Sequence, residues 1–185
     1  MTENQIRALQ EYLGVAVDGF WGPLSVRAAR VHLLALMPQP NPWPATDEES
    51  LTKFYGQPGD ESQLTLLKVP QPLKFEGRLV SGVRCHRKVA ESLARAIAAA
   101  YASNPEVIEV YDGCYNNRAM RGGSRPSLHA RGAAIDFAAE FNGNLVHWPT
   151  AARMPFTVME AFAREGWIAA GAFWSRDAMH FQATR

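Results

Sequence analysis

The spacing of hydrophobic positions predicts two short helices at the start of the chain. Ile6, Leu9 and Leu13 recur at helical spacing, and Pro23 suits the first position of a second helix that we expect to run to about Leu36. Helices of this length gain most of their stability from packing rather than from propensity. We therefore expect this hairpin to dock against another part of the chain.

A proline-rich stretch separates the hairpin from the rest of the sequence. Seven prolines between residues 38 and 72 interrupt any long regular element. Trp43, Phe54 and Tyr55 argue against a flexible linker, because disordered segments are poor in aromatic residues. We interpret the stretch as an ordered connector that contains a short helix over residues 50–55 and a strand over residues 63–69.

The remaining residues alternate between strand-like and helix-like patterns. Strands are predicted over residues 79–83, 107–111, 167–170 and 179–183, and helices over residues 88–101 and from Pro155 to a cap at Gly166. This order predicts an α+β fold, with a small antiparallel sheet and helices packed on one side of it. The predicted division is a helical hairpin (1–37), an ordered connector (38–72) and a main domain (73–185).

Composition and charge exclude several classes of protein. The formal net charge is +1 and no long run of Lys or Arg occurs, which argues against a nucleic-acid partner. No apolar run approaches the roughly 20 residues that span a bilayer, so we expect no membrane insertion. The first residues show no signal-peptide pattern, which favours synthesis in the cytoplasm. We also expect a monomer.

The cysteine content predicts neither a disulfide framework nor a cysteine zinc site. Cys85 and Cys114 are the only two cysteines, and they lie far apart in the sequence. We interpret them as two reduced, partly buried thiols, with a single bridge between them as the alternative.

Two short stretches, residues 127–137 and 177–181, carry the candidate chemistry. Strand alternation places Asp136 and His180 on the sparse, polar faces of their strands, and Gly132 permits a tight reversal between His129 and Asp136. Two imidazoles and one carboxylate leave a fourth position open on tetrahedral zinc, which is typical of a catalytic site. Asp177 lies close enough to accept a proton from a bound water. Spacing alone favours the alternative that these are buried polar residues that bind no metal, because a single histidine near a strand is more often a core residue than a ligand.

The full sequence motifs of the two stretches indicate a metal site more specifically than the spacing of the four residues does. They read Ser127-x-His129-x-x-Gly132-x-Ala134-x-Asp136 and Asp177-x-x-His180-Phe181. This pattern resembles the signature of the zinc peptidases that include D-alanyl-D-alanine carboxypeptidases, L-alanyl-D-glutamate endopeptidases and many phage endolysins. The resemblance spans residues 73–185 and implies a fold of the hedgehog/DD-peptidase type. It implies Zn²⁺ as the cofactor, His129, Asp136 and His180 as its ligands, and Asp177 as the catalytic base.

The same resemblance implies roles for residues just before the first ligand. The family uses an upstream arginine to engage the substrate and the developing oxyanion, and Arg118 is the best match, with Arg121 and Arg125 as alternatives. Ser127 occupies the family's hydroxyl position. Its side chain could bind substrate or support a ligand, and a role in stabilising the turn is equally open.

A second resemblance covers about the first 36 residues. The segments 6–13 and 17–23 look like the peptidoglycan-binding helical repeat found at the ends of cell-wall hydrolases, without a clear third helix. A hairpin that only caps the core is an equally open interpretation.

Together the two resemblances imply an endolysin that acts on bacterial peptidoglycan in the cell wall after release from the cytoplasm. The expected reaction is zinc-dependent hydrolysis of an amide bond in the stem peptide, with the L-alanyl-D-glutamate bond favoured. A D-alanyl-D-alanine carboxypeptidase, a secreted antibacterial effector with the same chemistry, and a non-catalytic wall-binding module with structural zinc are the alternatives.

Overall fold

The computed structural model describes all 185 residues, and its first three elements are helices. They are α1 (Glu3–Tyr12), α2 (Pro23–Leu36) and α3 (Glu48–Tyr55). Helix α1 begins at a capping box, in which the Thr2 hydroxyl accepts a hydrogen bond from the Gln5 backbone and the Gln5 side chain accepts one from the Thr2 backbone. Pro23 is the first residue of α2, as its fixed φ and missing N–H favour.

Eight short strands form three antiparallel sheets. They are β1 (Leu64–Leu67), β2 (Lys74–Phe75), β3 (Arg78–Leu79), β4 (Val83–His86), β5 (Tyr111–Gly113), β6 (Ala134–Phe137), β7 (Ile168–Ala169) and β8 (His180–Gln182). Strand β1 pairs with β4 and β2 pairs with β3, whereas the largest sheet has the order β5-β6-β8-β7. Strands β6 and β8 are therefore the central pair of the main sheet.

Five further helices complete the fold. They are α4 (Ala90–Ser103), α5 (Pro105–Ile108), α6 (Ala139–Asn142), α7 (Phe156–Arg164) and α8 (Ala170–Trp174). Helices α2 and α4 both pack against α7. The mixture of helices with small antiparallel sheets confirms the predicted α+β class. None of the helices has the length and apolar character needed to cross a membrane.

The N-terminal helices and the main sheet share one hydrophobic core. Leu33 of α2, Phe162 of α7 and Phe181 of β8 are all fully buried in it, and the rings of Phe162 and Phe181 stack with centroids 4.2 Å apart. Glu160 of α7 accepts a hydrogen bond from the Tyr12 hydroxyl at 2.8 Å and lies 2.6 Å from His32 Nε2. These contacts supply the packing that α1 and α2 need.

Two predicted strands do not form as single strands in the structure. The prediction of a strand over residues 107–111 is wrong, because Pro105 begins the helical turn α5 and the strand starts only at Tyr111. The strand predicted over residues 79–83 is two strands, since β3 ends at Leu79 and β4 begins at Val83. Gly82 lies between them, so close to the Leu67 carbonyl oxygen that a Cβ atom would come within 2.5 Å of it.

The strand predicted over residues 167–170 is shorter in the structure. It covers Ile168–Ala169, and Ala170 already begins helix α8. The chain therefore turns away from the sheet just before the segment that leads to His180.

Candidate metal centre

Three residues that the sequence singles out meet at the centre of the main sheet. Asp136 of β6 lies opposite His180 of β8, and both side chains are buried. His129 lies on a 3₁₀ helix, Leu128–Arg131, which ends at Gly132 with a φ of +65°. A Cβ atom on Gly132 would come within 2.8 Å of the His86 backbone nitrogen, so glycine permits both the turn and the close packing.

The distances within this group fit a tetrahedral metal ion. His180 Nδ1 lies 3.0 Å from Asp136 Oδ1 and 3.1 Å from His129 Nε2, and His129 Nε2 lies 3.3 Å from Asp136 Oδ1. Ligand atoms about 2.0 Å from a tetrahedral zinc ion are about 3.3 Å apart. The three side chains therefore offer donors of the correct type at nearly the separation that zinc requires.

Hydrogen bonds from outside the group orient both imidazoles. His129 Nδ1 lies 2.7 Å from the Cys114 carbonyl oxygen, which can only accept, so Nδ1 donates to it and Nε2 is the nitrogen that faces the group. His180 Nε2 lies 3.1 Å from Gln182 Oε1, and the Gln182 amide nitrogen donates to Thr184 Oγ1 at 2.6 Å. His180 therefore presents Nδ1. Such outer partners fix the tautomer of a histidine ligand and its ring orientation.

Sequence reasoning missed both of these outer partners. Gln182 was visible as the residue that shares a strand face with His180, and this period-two spacing is a signal that could have identified it. The Cys114 carbonyl gave no such signal, because only the tertiary fold brings it to His129.

The charges within the group are coupled. Burial raises the pKa of Asp136, but hydrogen bonds to His129 and His180 outweigh burial and hold the pKa well below its usual range. Burial lowers the pKa of His180, but the hydrogen bond to Asp136 and the carboxylate charge outweigh it and raise the pKa above its ordinary value. The carboxylate thus favours a positive charge beside it, which a metal cation would also supply.

Asp177 stands next to this group without a partner of its own. One carboxylate oxygen, Oδ1, is buried and accepts no hydrogen bond. Burial raises the pKa of Asp177 above its ordinary value. Buried polar atoms are nearly always satisfied, so an orphaned carboxylate oxygen beside a ligand cluster suits a group that acts on a bound molecule.

A cavity of about 500 Å³ opens onto the cluster and contains the remaining predicted residues. Ser127, Arg118, Arg121 and Arg125 all line it, as does Asp177. Arg118 is half-buried, whereas Arg121 and Arg125 are exposed. The structure brings all three arginines to the site and does not single out one of them.

Two further features of the cavity wall bear on the ligands. The Ser127 hydroxyl accepts a hydrogen bond from the His129 backbone nitrogen at 3.4 Å and caps the 3₁₀ helix, which is the turn-stabilising role. The ring of Trp174 stacks on His180 with centroids 5.6 Å apart. It covers one side of that imidazole while remaining partly exposed in the cavity.

Two histidines and one carboxylate that face an accessible cavity form the kind of centre that metal-dependent hydrolases use. The comparison with known families points the same way. A family model described as D-alanyl-D-alanine carboxypeptidase matches residues 121–183, about a third of the chain. No curated protein and no solved structure matches. The match and the buried cluster together support a metal-dependent peptidase of that general kind.

The matched segment includes some of the predicted site residues and not others. It contains the three cluster residues and Asp177, together with Ser127, Arg121 and Arg125. Arg118 and the N-terminal hairpin lie outside it.

Proposed function

We propose that the chain is a zinc-dependent peptidase that hydrolyses an amide bond in the stem peptide of bacterial peptidoglycan. The observation that carries the proposal is the cluster of three ligand atoms, 3.0 to 3.3 Å apart, at a cavity that Asp177 also lines. The family match supports it, since the matched segment contains all four residues. Under this proposal residues 73–185 form a catalytic domain of the hedgehog/DD-peptidase type.

Each residue of the site has a chemical task in the proposed reaction. His129 Nε2, Asp136 and His180 Nδ1 would hold the zinc ion. Zinc in such a site polarises a carbonyl group and lowers the pKa of water to about 7. Asp177 takes the proton of the attacking water and passes it to the leaving amine, and its raised pKa suits a group that holds a proton between two steps.

The arginines of the cavity and the Ser127 hydroxyl group contact the substrate in this proposal. Arg118 stabilises negative charge on the carbonyl oxygen as it develops, and Arg121 binds an anionic group of the substrate. Ser127 hydrogen-bonds substrate in addition to capping the turn that carries His129. The complete site comes from one chain, which suits action as a monomer.

The L-alanyl-D-glutamate bond is the target we favour, because the resemblance of the hairpin to a wall-binding repeat indicates an endolysin. The hairpin presents a hollow of about 560 Å³ that is lined by Phe20, Trp21 and Arg27 among others and shares no lining residue with the cavity at the cluster. Aromatic and basic side chains of this kind suit a polymer of sugars and acidic peptides, so the hairpin would hold the enzyme, acting as an endolysin, on the cell wall.

A D-alanyl-D-alanine carboxypeptidase is the second candidate function. It is favoured by the arginine-lined cavity, because guanidinium groups are well suited to bind a terminal carboxylate.

The test is mass analysis of the soluble products released from purified peptidoglycan, with and without a chelator. The masses identify the bond, and loss of products with chelator establishes metal dependence. Asp177→Ala is expected to retain zinc and lose about 10²- to 10⁴-fold in rate, whereas His180→Ala is expected to lose both. Glu106→Ala, which removes an exposed carboxylate in α5, is the control. Equal activity of Asp177→Ala and the parent protein would remove Asp177 from the mechanism.

A further inference from the structure

Four arginine side chains line the cavity above the ligand cluster. They are Arg118, Arg121, Arg125 and Arg176. None of the four forms a salt bridge with a carboxylate of the chain, although Arg84, Arg95 and other arginines elsewhere do. Four unpaired guanidinium groups around one cavity are a concentration of positive charge that the protein itself does not neutralise.

The acidic residues of the same cavity do not balance this charge. Glu48 is paired with the buried Arg131, and Asp136 lies between the two histidines of the cluster. Asp177 is the remaining carboxylate. The cavity is therefore net positive before any metal ion is added, and a cavity of one sign of charge concentrates ligands of the opposite sign.

Arg176 reaches the cavity from a different segment than the other three. It lies between Ser175 and Asp177, whose φ angles are +60° and +59°. Both neighbours are anchored, because the Ser175 carbonyl accepts a hydrogen bond from the Trp148 backbone at 3.1 Å and the Asp177 carbonyl accepts one from His180 at 2.9 Å. The backbone of Arg176 is thus held on both sides, next to the proposed base.

We propose that Arg176 is a specificity-determining residue that binds one carboxylate of the substrate, while Arg121 and Arg125 of the loop bind another and Arg118 remains at the carbonyl oxygen. This inference rests on the proposed function and names its substrate class, a peptide with at least two free carboxylates near the scissile amide. One carboxylate accepts one bidentate guanidinium fork well. A single carboxylate therefore leaves most of the four guanidinium groups without a partner.

The experiment compares three synthetic stem peptides of the same length. One carries two free carboxylates beside the scissile amide, and each of the others has a carboxamide in place of one of them. The specificity constant kcat/KM is measured by chromatography with the zinc-loaded parent, Arg176→Gln, Arg176→Lys and the control Arg78→Gln. Arg78 is an exposed arginine of β3 outside the cavity, so its substitution removes the same charge elsewhere.

The parent is expected to lose about 10- to 100-fold in kcat/KM when either carboxylate is amidated, as for a lost hydrogen bond to a charged group. Arg176→Gln should lose this discrimination at one carboxylate and keep it at the other. Arg176→Lys should recover part of it, and Arg78→Gln should behave as the parent. Zinc content should be the same in all four proteins.

Two results would overturn the inference. One is a parent that cleaves the acid and amide forms equally, and the other is an Arg176→Gln variant that loses the same factor on all three peptides. Cleavage without discrimination leaves the proposed function standing and refutes the inference alone. If the parent cleaves none of the three peptides, calorimetry with Asp177→Asn measures their binding instead. Tighter binding of the diacid than of either monoamide would then support carboxylate recognition by the arginines and refute the proposed peptidase function.

Discussion

Alanine substitutions at Gly132 and Gly14 measure how tightly the turn after His129 is packed. The two glycines have nearly the same backbone conformation, with φ angles of +65° and +68°. A left-handed conformation costs an alanine roughly 1 kcal/mol. A Cβ atom on Gly14 meets nothing within 4 Å, so this strain is the whole expected cost there.

At Gly132 the added methyl group has no space. Its Cβ would lie 2.8 Å from the His86 backbone nitrogen and 2.8 Å from Leu64 Cδ2. The same His86 nitrogen donates a hydrogen bond of 2.8 Å to the Gly132 carbonyl, so the two backbones cannot separate without weakening it. Overpacking costs about 1–3 kcal/mol and a hydrogen bond contributes about 1 kcal/mol, which gives a total of about 3 kcal/mol or more with the strain.

Thermal unfolding of the metal-free proteins separates the two cases. For a chain of this size 1 kcal/mol corresponds to about 2–4 °C in Tm. The Tm of Gly14→Ala should therefore be about 2–4 °C lower than that of the parent, and the Tm of Gly132→Ala about 6–12 °C lower. Gly132→Ala should also bind zinc more weakly in a chelator competition, because displacement of the backbone at residue 132 also displaces the adjoining 3₁₀ helix that carries His129. Equal losses of Tm in the two variants would refute the close packing of this turn against β4.

Four further predictions concern hydrogen bonds and thiols. Gln182→Leu should lower zinc affinity by about 10- to 100-fold in a chelator competition, and unchanged affinity would contradict its orienting role. Glu160→Ala should lower the free energy of unfolding in urea by about 1–3 kcal/mol, because it leaves Tyr12 and His32 without their partner. Tyr12→Phe should lower it by less, and a larger loss in Tyr12→Phe than in Glu160→Ala would contradict this account. Burial raises the pKa of Cys85 to about 12, above the ordinary 9, so the thiol ionises in the unfolded chain before it ionises in the folded one. Its contribution to the free energy of unfolding should therefore be constant below pH 9 and decrease as the pH rises towards 12. Native thiols should not react with dithionitrobenzoate at pH 8, and reaction before unfolding would refute their burial.

Strand alternation explains why so much of the candidate site could be read from the sequence. Asp136 and His180 occupy period-two positions in short runs with one apolar face, so each could be placed on a face without knowledge of the fold. The helices at the start were predictable for a similar reason, since their apolar stripe and the proline at the start of α2 are local signals.

Contacts between distant segments account for what the sequence could not predict. The orientation of His129 depends on the Cys114 carbonyl, and a carbonyl group belongs to every residue type. Residues 107–111 have strong strand propensity, but the helical turn that begins at Pro105 includes the first two of them. Arg176 stands beside Asp177 in the sequence, yet only the cavity shows that it joins the arginines of a loop about 50 residues earlier.

The pairing of Asp136 with His180 across strands β6 and β8 links the proposed metal binding to the assembly of the sheet. A slip of one residue between these strands would turn every side chain of the slipped strand to the opposite face, and His180 would point away from Asp136. Only the native register can then gain the binding energy of the ion. A metal ion that arrives during folding would therefore select the correct alignment of the two central strands, which join segments of the chain more than 40 residues apart.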